Sequence, residues 1–160
     1  MPQHGTETEF ELTTLKRFEA MKYSSVFGMD LQRSREHVVL KDTLRAWLAN
    51  HYDELPSSAI EEAIHIITKP EGVDTLRRNL SFHKLLTRGF DLKIEHSDGR
   101  IEHRHLNVID WEHPTENEFW AVNQFPVHGQ NDRRPDIVIF INGLPLVVFE
   151  LKNPYSEKPT

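Results

Sequence analysis

The sequence predicts an α+β (mixed α/β) fold in which a mixed, mostly antiparallel sheet is flanked by helices. Two observations lead to this prediction. Apolar residues recur at helical spacing in the first half of the chain, and an alternation of period two replaces that spacing after Gly89. Helices in one stretch and strands in the next are typical of this fold class. A chain of 160 residues is long enough to bury one hydrophobic core.

The composition excludes several classes of protein. The chain has no cysteine, which rules out a disulfide framework and any thiolate metal site or nucleophile. Its net charge of -6 argues against a domain that holds nucleic acid by bulk charge alone. No apolar run has the length needed to span a bilayer, and the sequence shows no signal peptide. We therefore expect a cytoplasmic protein.

Three helices are predicted, together with a domain of residues 34–153. The first helix covers residues 36–51, where apolar side chains recur at helical spacing. The second lies in "PSSAIEEAIHIIT", with Ser57 or Ser58 as the N-cap. Residues 1–33 show weak periodicity and are expected to form an irregular N-terminal arm. Residues 154–160 form a proline-containing tail.

The third helix lies in "GVDTLRRNLSFHKLLTRG". Asp74 is its expected N-cap and Gly89 its expected stop. We expect Leu76, Leu80 and Leu85 to lie on one side of this helix.

Strands follow the helices. "FDLKIEH" and "IEHRHLNVIDW" predict two strands around a glycine-containing turn, and "EFWAVNQFPV" predicts another. The last two, Ile137–Ile141 and Leu146–Leu151, flank Asn142-Gly143 and are apolar on both alternating faces, as in strands buried at the centre of a sheet. We expect the helices to pack on one sheet.

Charged residues stand at one end of this apolar hairpin. Asp136 opens its first strand, and Glu150 and Lys152 close its second. A charge beside a buried core is costly unless it is paired or binds a metal. Two converging carboxylates suit Mg²⁺, and an adjacent ammonium group can orient a water or neutralise a phosphorane. The pattern is therefore consistent with metal-assisted phosphodiester hydrolysis, and also with a surface ion pair at a strand end.

The metal hypothesis requires a particular pairing register between the two strands. A strict two-residue loop at Asn142-Gly143 would pair Asp136 with Phe149 and turn Glu150 to the opposite face of the sheet. A shared metal site needs an offset of one residue, either a three-residue loop or a bulge at Pro145. A bulge there is plausible because proline cannot donate to the strand ladder.

The contiguous stretch "RPDIVIFINGLPLVVFELKNP", preceded by "VIDWEHPTENEFWAVNQF", resembles the N-terminal nuclease domain of the restriction (R) subunit of type I restriction–modification enzymes. The resemblance implies a PD-(D/E)xK restriction-endonuclease-like core in which Asp136, Glu150 and Lys152 are catalytic. It implies Mg²⁺ (with Mn²⁺ possible) as the cofactor and Asp136 and Glu150 as its ligands. Cleavage of double-stranded foreign DNA is the expected activity.

The same resemblance implies a longer protein. An R subunit of this family carries helicase-like motor domains that bind ATP and translocate DNA, and it works with methylation and specificity subunits. No GxxxxGK[ST] phosphate-binding loop occurs in these 160 residues. We therefore expect the chain to be truncated before the motor domains, and expect the piece alone to be inactive.

Several other residues are candidates for the site. This nuclease fold often lends a helix carboxylate to the metal, which makes Glu62, and less so Glu61, a candidate ligand; the alternative is an acid favoured by the helix dipole. Asn123 and Gln124 face either the cleft or the solvent. The candidate DNA-binding residues are basic, and those on the third helix are otherwise a solvated face: Arg133, Arg134, Arg77, Lys84 and Arg88.

Three histidines could indicate zinc. His103 and His105 alternate on one predicted strand, and His113 follows. No third ligand is evident, so exposed strand histidines are the preferred interpretation.

Two other functions compete with the restriction nuclease. One is a non-catalytic docking and assembly module with a degenerate nuclease fold. The other is a different PD-(D/E)xK nuclease, for example one of DNA repair, against which the "NGLPLVVFELKNP" stretch argues.

Overall fold

A computed structural model describes residues 7–96 and 98–152 of the chain. It divides the chain into two compact units: a first unit of residues 1–40 and 118–160, and a second unit of residues 41–117. The α+β fold class is confirmed, since helices and mostly antiparallel strands make up both units. The predicted tail, residues 154–160, lies outside the described residues, as do residues 1–6 of the predicted arm.

The elements follow one another in this order: α1 (Glu7–Ala20), β1 (Ser24–Phe27), α2 (Lys41–His51), α3 (Ser57–Thr68), α4 (Thr75–Arg88), β2 (Phe90–Glu95), β3 (Ile101–Leu106), a 3₁₀ turn (Pro114–Glu116), β4 (Phe119–Asn123), β5 (Ile137–Ile141) and β6 (Leu144–Phe149). Among the described residues, no helix is long and apolar enough to cross a membrane.

The first unit is a four-stranded sheet with the order β1-β4-β5-β6. β1 runs parallel to β4, and the other neighbours are antiparallel. Its strands alternate between two apolar faces, as expected for a sheet covered on both sides. One face gathers Leu40, Val122, Phe125, Val138 and Phe140. The other gathers Leu15 of α1, Ala121, Ile137 and Ile139.

The prediction of an irregular arm is wrong for most of residues 1–33. Residues Glu7–Ala20 form α1, and Ser24–Phe27 form a strand that pairs with β4. Both were missed because their local signals are weak. Among the described side chains of α1 only Leu15 is buried, and β1 is four residues long with no buried position. Its stability comes from pairing with a strand far along the chain.

The second unit combines α2, α3 and α4 with a two-stranded sheet of β2 and β3. The predicted glycine-containing hairpin is confirmed, with Phe90 opposite Leu106 and Glu95 opposite Ile101. The expectation of one sheet is wrong, because this hairpin pairs only with itself among the described residues while β4 to β6 pair elsewhere. The unit's buried core residues are Leu44, Trp47, Leu48, Ala59, Ile60, Ala63, Ile64, Ile67, Leu92, Ile94, Leu106, Val108 and Ile109.

The ends of α2 and α3 differ from prediction. α2 begins at Lys41 and not at residue 36, because Leu40 is buried in the first unit's core and its amide donates to the Gly143 carbonyl (2.9 Å). The Leu40 amide therefore does not donate to the carbonyl of residue 36, as it would in a helix that began there. α3 begins at Ser57 with Pro56 as its N-cap and no side-chain cap. Proline suits a helix start because it has no amide to satisfy.

α4 has the predicted end signals but not the predicted apolar side. The Asp74 carboxylate accepts from the Arg77 amide (2.8 Å), and Gly89 ends the helix at φ 66°. Leu76 and Leu80 are 79% and 53% exposed. Leu85 cannot share their side, because nine residues at about 100° each place it half a turn away from Leu76.

Candidate functional site

The hairpin of β5 and β6 contains the register offset that a shared site requires. Asn142 and Gly143, at φ 52° and 81°, form a two-residue turn, and Phe140 pairs with Pro145. The next pair joins Ile139 to Val147, so Leu146 is an extra residue in β6. The predicted bulge beside Pro145 is confirmed. Ile137 then pairs with Phe149, and one further step of this register sets Asp136 opposite Glu150.

Asp136 is fixed at the open end of this hairpin by hydrogen bonds to both carboxylate oxygens. Its Oδ2 accepts from the Leu151 amide (2.6 Å), and its Oδ1 accepts from Nε2 of Gln124 (3.4 Å). The first bond joins the start of β5 to the segment between Glu150 and Lys152. The hairpin thus brings Asp136 against the chain that carries the other two predicted catalytic residues.

Glu150 and Lys152 lie directly after β6, and both are exposed. Among the described residues, neither belongs to an ion pair or hydrogen bond. The surface ion pair that would explain this pattern without catalysis is therefore not formed. A carboxylate and an ammonium group that no described side chain engages remain available to a metal ion, a water or a phosphate.

Glu11 is a site residue that the sequence analysis missed. It lies on α1, half-buried, and its Oε1 accepts from Nε2 of Gln124 (2.5 Å). Because the same amide group also reaches Asp136, the helix carboxylate and the strand carboxylate share one donor. The sequence does contain a signal for this position. The spacing i, i+4 and i+7 joins Glu11 to Leu15 and Phe18, so the acid lies on the same side of the helix as the buried residues.

The donor set fits a hard divalent cation. Glu11, Asp136 and Glu150 offer carboxylate oxygens, which Mg²⁺ prefers. The described residues contain no group of three or more His, Asp or Glu side chains already arranged to hold a metal. Mg²⁺ does not require such a cage, since one or two carboxylates, waters and substrate phosphates commonly complete its shell. The two hydrogen bonds to Asp136 are of the kind that orients metal-binding carboxylates.

The predicted helix carboxylates Glu61 and Glu62 belong to the second unit. Glu61 accepts from Arg45 (Nε–Oε1 2.5 Å), and these hydrogen bonds hold the pKa of Glu61 below its usual range. Glu62 is exposed and lines a cavity of about 620 Å³ together with His65 and Lys84. The structure thus engages Glu61 in an ion pair, while the metal-ligand role of Glu62 stays a prediction.

The predicted DNA-binding residues divide between the units. Arg133 and Arg134 are exposed on the connection from β4 to β5, three and two residues before Asp136. Backbone bonds between Val127 and Arg133 (2.8 and 2.9 Å) fix the base of this connection. The other three candidates lie on α4, and all of them are exposed: Arg77, Lys84 and Arg88. Arg77 forms an ion pair with Asp74 (3.7 Å).

The histidines of the second unit pair with carboxylates. His105 Nδ1 lies 2.8 Å from Asp91, and His113 Nδ1 lies 3.4 Å from Asp110. Amide donors from His113 and Glu112 hold the pKa of Asp110 below its usual value. His103 and His105 are exposed, as the preferred interpretation expected. Nε2 of His51 also lies 4.0 Å from Asp110. Even so, the described residues contain no group of three or more such side chains that could hold a metal ion.

Comparisons with known proteins agree with the resemblance seen in the sequence. The family model for the N terminus of the type I restriction enzyme R protein matches residues 6–160. The chain is 35% identical over 162 residues to the type I restriction enzyme HindI endonuclease subunit of Haemophilus influenzae. That alignment covers 94% of this chain and 15% of the subunit.

A second relative comes from an archaeon. The chain is 28% identical over 158 residues to the putative type I restriction enzyme MjaIXP endonuclease subunit of Methanocaldococcus jannaschii, covering 92% of this chain and 15% of that protein. The chain therefore spans 15% of the length of these relatives. The family match extends over almost every residue, including the whole β5–β6 hairpin. The chain belongs to the family of type I restriction enzyme R protein N-terminal domains.

Proposed function

We propose that this chain is the Mg²⁺-dependent DNA-cleaving domain of a type I restriction endonuclease subunit. One observation carries the proposal. The bulged hairpin fixes Asp136 against the Leu151 amide (2.6 Å), and so beside the segment that holds Glu150 and Lys152. Family membership supports a nuclease role, since the relatives are named as restriction endonuclease subunits.

Each side chain has a distinct role in this proposal. Asp136 and Glu150 hold Mg²⁺ (or Mn²⁺), with Glu11 as a further carboxylate in place of the expected Glu62. The bound metal supplies Lewis-acid stabilisation of the charge that develops on the phosphate. Lys152 orients the attacking water and neutralises charge on the phosphorane. The water gives up a proton to solvent as its oxygen forms a bond to phosphorus. The bond to the leaving oxygen breaks, and that oxygen takes up a proton from solvent.

The substrate in this proposal is double-stranded DNA, engaged through its phosphates. Arg133 and Arg134 are exposed close to Asp136 in sequence and are the primary candidates for these contacts. Arg77, Lys84 and Arg88 of α4 extend the set. A net charge of -6 gives the chain little general attraction for DNA, so we propose that partner modules deliver the substrate. These modules are the ATP-driven motor domains of the full subunit and the methylation and specificity subunits.

The experiment uses the complete enzyme. Asp136→Ala, Glu150→Ala and Lys152→Ala are each introduced into the full subunit, and plasmid cleavage is measured beside the rate of ATP hydrolysis. Cleavage should be lost in all three variants while ATP hydrolysis continues, because the motor lies on other domains. Lys152→Arg should also fail, since a planar guanidinium does not replace a compact ammonium group.

Asp30→Ala is the matched control, because Asp30 is an exposed carboxylate of the same unit. It should cleave like the wild type. Full cleavage by Glu150→Ala would overturn the proposed function.

A docking module is the second candidate function, and one observation favours it. Leu76 and Leu80 of α4 are 79% and 53% exposed, beside the basic residues of the same helix. An exposed apolar stripe on an amphipathic helix is a common protein-binding feature. In that case the three alanine variants above would cleave normally, and substitutions at Leu76 and Leu80 would weaken assembly.

A further inference from the structure

Gln124 lies at the centre of the hydrogen bonds that join α1 to the start of β5. Its amide nitrogen Nε2 lies 2.5 Å from Oε1 of Glu11 and 3.4 Å from Oδ1 of Asp136. An amide NH₂ group carries two hydrogens, so it can donate one to each carboxylate. Glutamine is neutral, and it can bring two like charges to one place without adding a third.

The backbone of Gln124 is held as firmly as its side chain. Its amide donates to the Asp136 carbonyl (2.8 Å), and the next amide, of Phe125, donates to the Pro135 carbonyl (3.1 Å). Main chain and side chain of Gln124 therefore both bind Asp136. A shift of this residue would move the carboxylate with it.

Gln124 adopts a left-handed conformation, with φ at 51°. This region costs a residue other than glycine about 1–2 kcal/mol. Such conformations persist where the surrounding structure enforces them, and they cluster at functional sites. The unusual backbone is what directs this side chain from the end of β4 towards α1 and Asp136.

Gly28 makes room for this turn. A Cβ atom at Gly28 would lie 2.6 Å from the Gln124 carbonyl oxygen and 2.8 Å from Cα of Phe125. The Gly28 amide also donates to the Asn123 carbonyl (2.8 Å). The chain after β1 therefore approaches the Gln124 backbone more closely than any side chain would allow, and this contact helps to enforce the turn.

We propose that Gln124 is a positioning residue that holds Glu11 and Asp136 in place for a divalent cation. The inference rests on the proposed function. Without the shared amide, the two carboxylates would repel each other and one would turn away, so that metal binding would have to reassemble them. With the shared amide in place, one oxygen of each carboxylate is already oriented before the metal binds. Outer hydrogen-bond partners of this kind typically contribute 10- to 100-fold to metal affinity.

The test is Mn²⁺ and Mg²⁺ binding to the 160-residue chain, measured by titration calorimetry. Gln124→Met keeps the length of the side chain and removes the donor. Gln124→Gly removes the side chain but suits the left-handed backbone. Both variants should bind Mn²⁺ about 10- to 100-fold more weakly than the wild type. Lys22→Gly is the matched control, because Lys22 is exposed and left-handed (φ 72°) at the end of α1; its affinity should not change.

A melting curve without metal separates positioning from general stability. Gln124→Gly should melt within a few degrees of the wild type, because relief of backbone strain offsets the lost hydrogen bonds. Wild-type metal affinity in Gln124→Met and Gln124→Gly would overturn the inference. So would a loss of affinity accompanied by a large fall in both metal-free melting temperatures, since the role would then be structural. If the wild type binds no metal, the proposed function fails together with the inference.

Discussion

The two units of this chain use their charged side chains differently. In the second unit, acids pair with bases at its surface: Glu61 with Arg45, His105 with Asp91 and His113 with Asp110. In the first unit, Glu11 and Asp136 share a neutral amide, while the exposed Glu150 and Lys152 flank the Leu151 amide that binds Asp136. Paired charges satisfy each other, whereas carboxylates held by neutral donors remain able to bind a cation.

The same contrast appears in the backbone. The first unit combines a β-bulge at Leu146 in β6 with a left-handed Gln124 at the end of β4, and Gly28 approaches Gln124 too closely for a side chain to replace it. β-Bulges and strained conformations are over-represented next to active sites. The hairpin of β2 and β3 in the second unit pairs without a register shift. The difference supports the proposal that the chemistry lies in the first unit.

The largest difference in cleavage should appear when one glutamate of each unit is replaced by glutamine in separate variants. Glu150→Gln in the full enzyme should reduce plasmid cleavage by more than about 100-fold, since it removes a charge that stabilises the metal and the transition state. Glu62→Gln is the matched change in the second unit, and it tests the predicted ligand role of Glu62 against that of Glu11. It should cleave at the wild-type rate if Glu11 is the further ligand. Equal losses in the two variants would contradict the proposed set of metal ligands.

A smaller effect should distinguish two leucines of the second unit. Leu48 is fully buried, so Leu48→Ala should lower the free energy of unfolding by about 2–5 kcal/mol. Leu76→Ala should change it by no more than about 0.5 kcal/mol, because this side chain is mostly exposed. Urea denaturation measures both values. A cost above about 2 kcal/mol for Leu76→Ala would contradict the exposed placement of α4's first turns.

Local features of the fold could be predicted from the sequence. Asp74 and Gly89 mark the ends of α4 because capping depends on neighbouring residues only. The bulge beside Pro145 could be predicted because proline's missing amide and the two-face pattern of the hairpin are both visible in the sequence. The catalytic roles of Asp136, Glu150 and Lys152 stay a prediction that this register supports.

Features that depend on distant partners could not be predicted. β1 pairs with β4 almost a hundred residues later, and its own sequence carries no alternation. Glu11 reaches Gln124 across 113 residues, so neither position indicates the other. The start of α2 depends on a bond from Leu40 to Gly143. In each case the structure depends on a contact between residues far apart in the sequence, which the local pattern does not show.

The most direct measurement replaces Mg²⁺ with Fe²⁺ and maps where the polypeptide is cut. With ascorbate and peroxide, iron bound at the site generates radicals that cleave the chain next to it, and mass spectrometry locates the cuts. We expect cuts beside Asp136 and Glu150 in the wild type, suppressed by excess Mg²⁺ and absent in Asp136→Ala. Cuts confined to the neighbourhood of Glu62, or cuts unchanged in Asp136→Ala, would contradict this expectation.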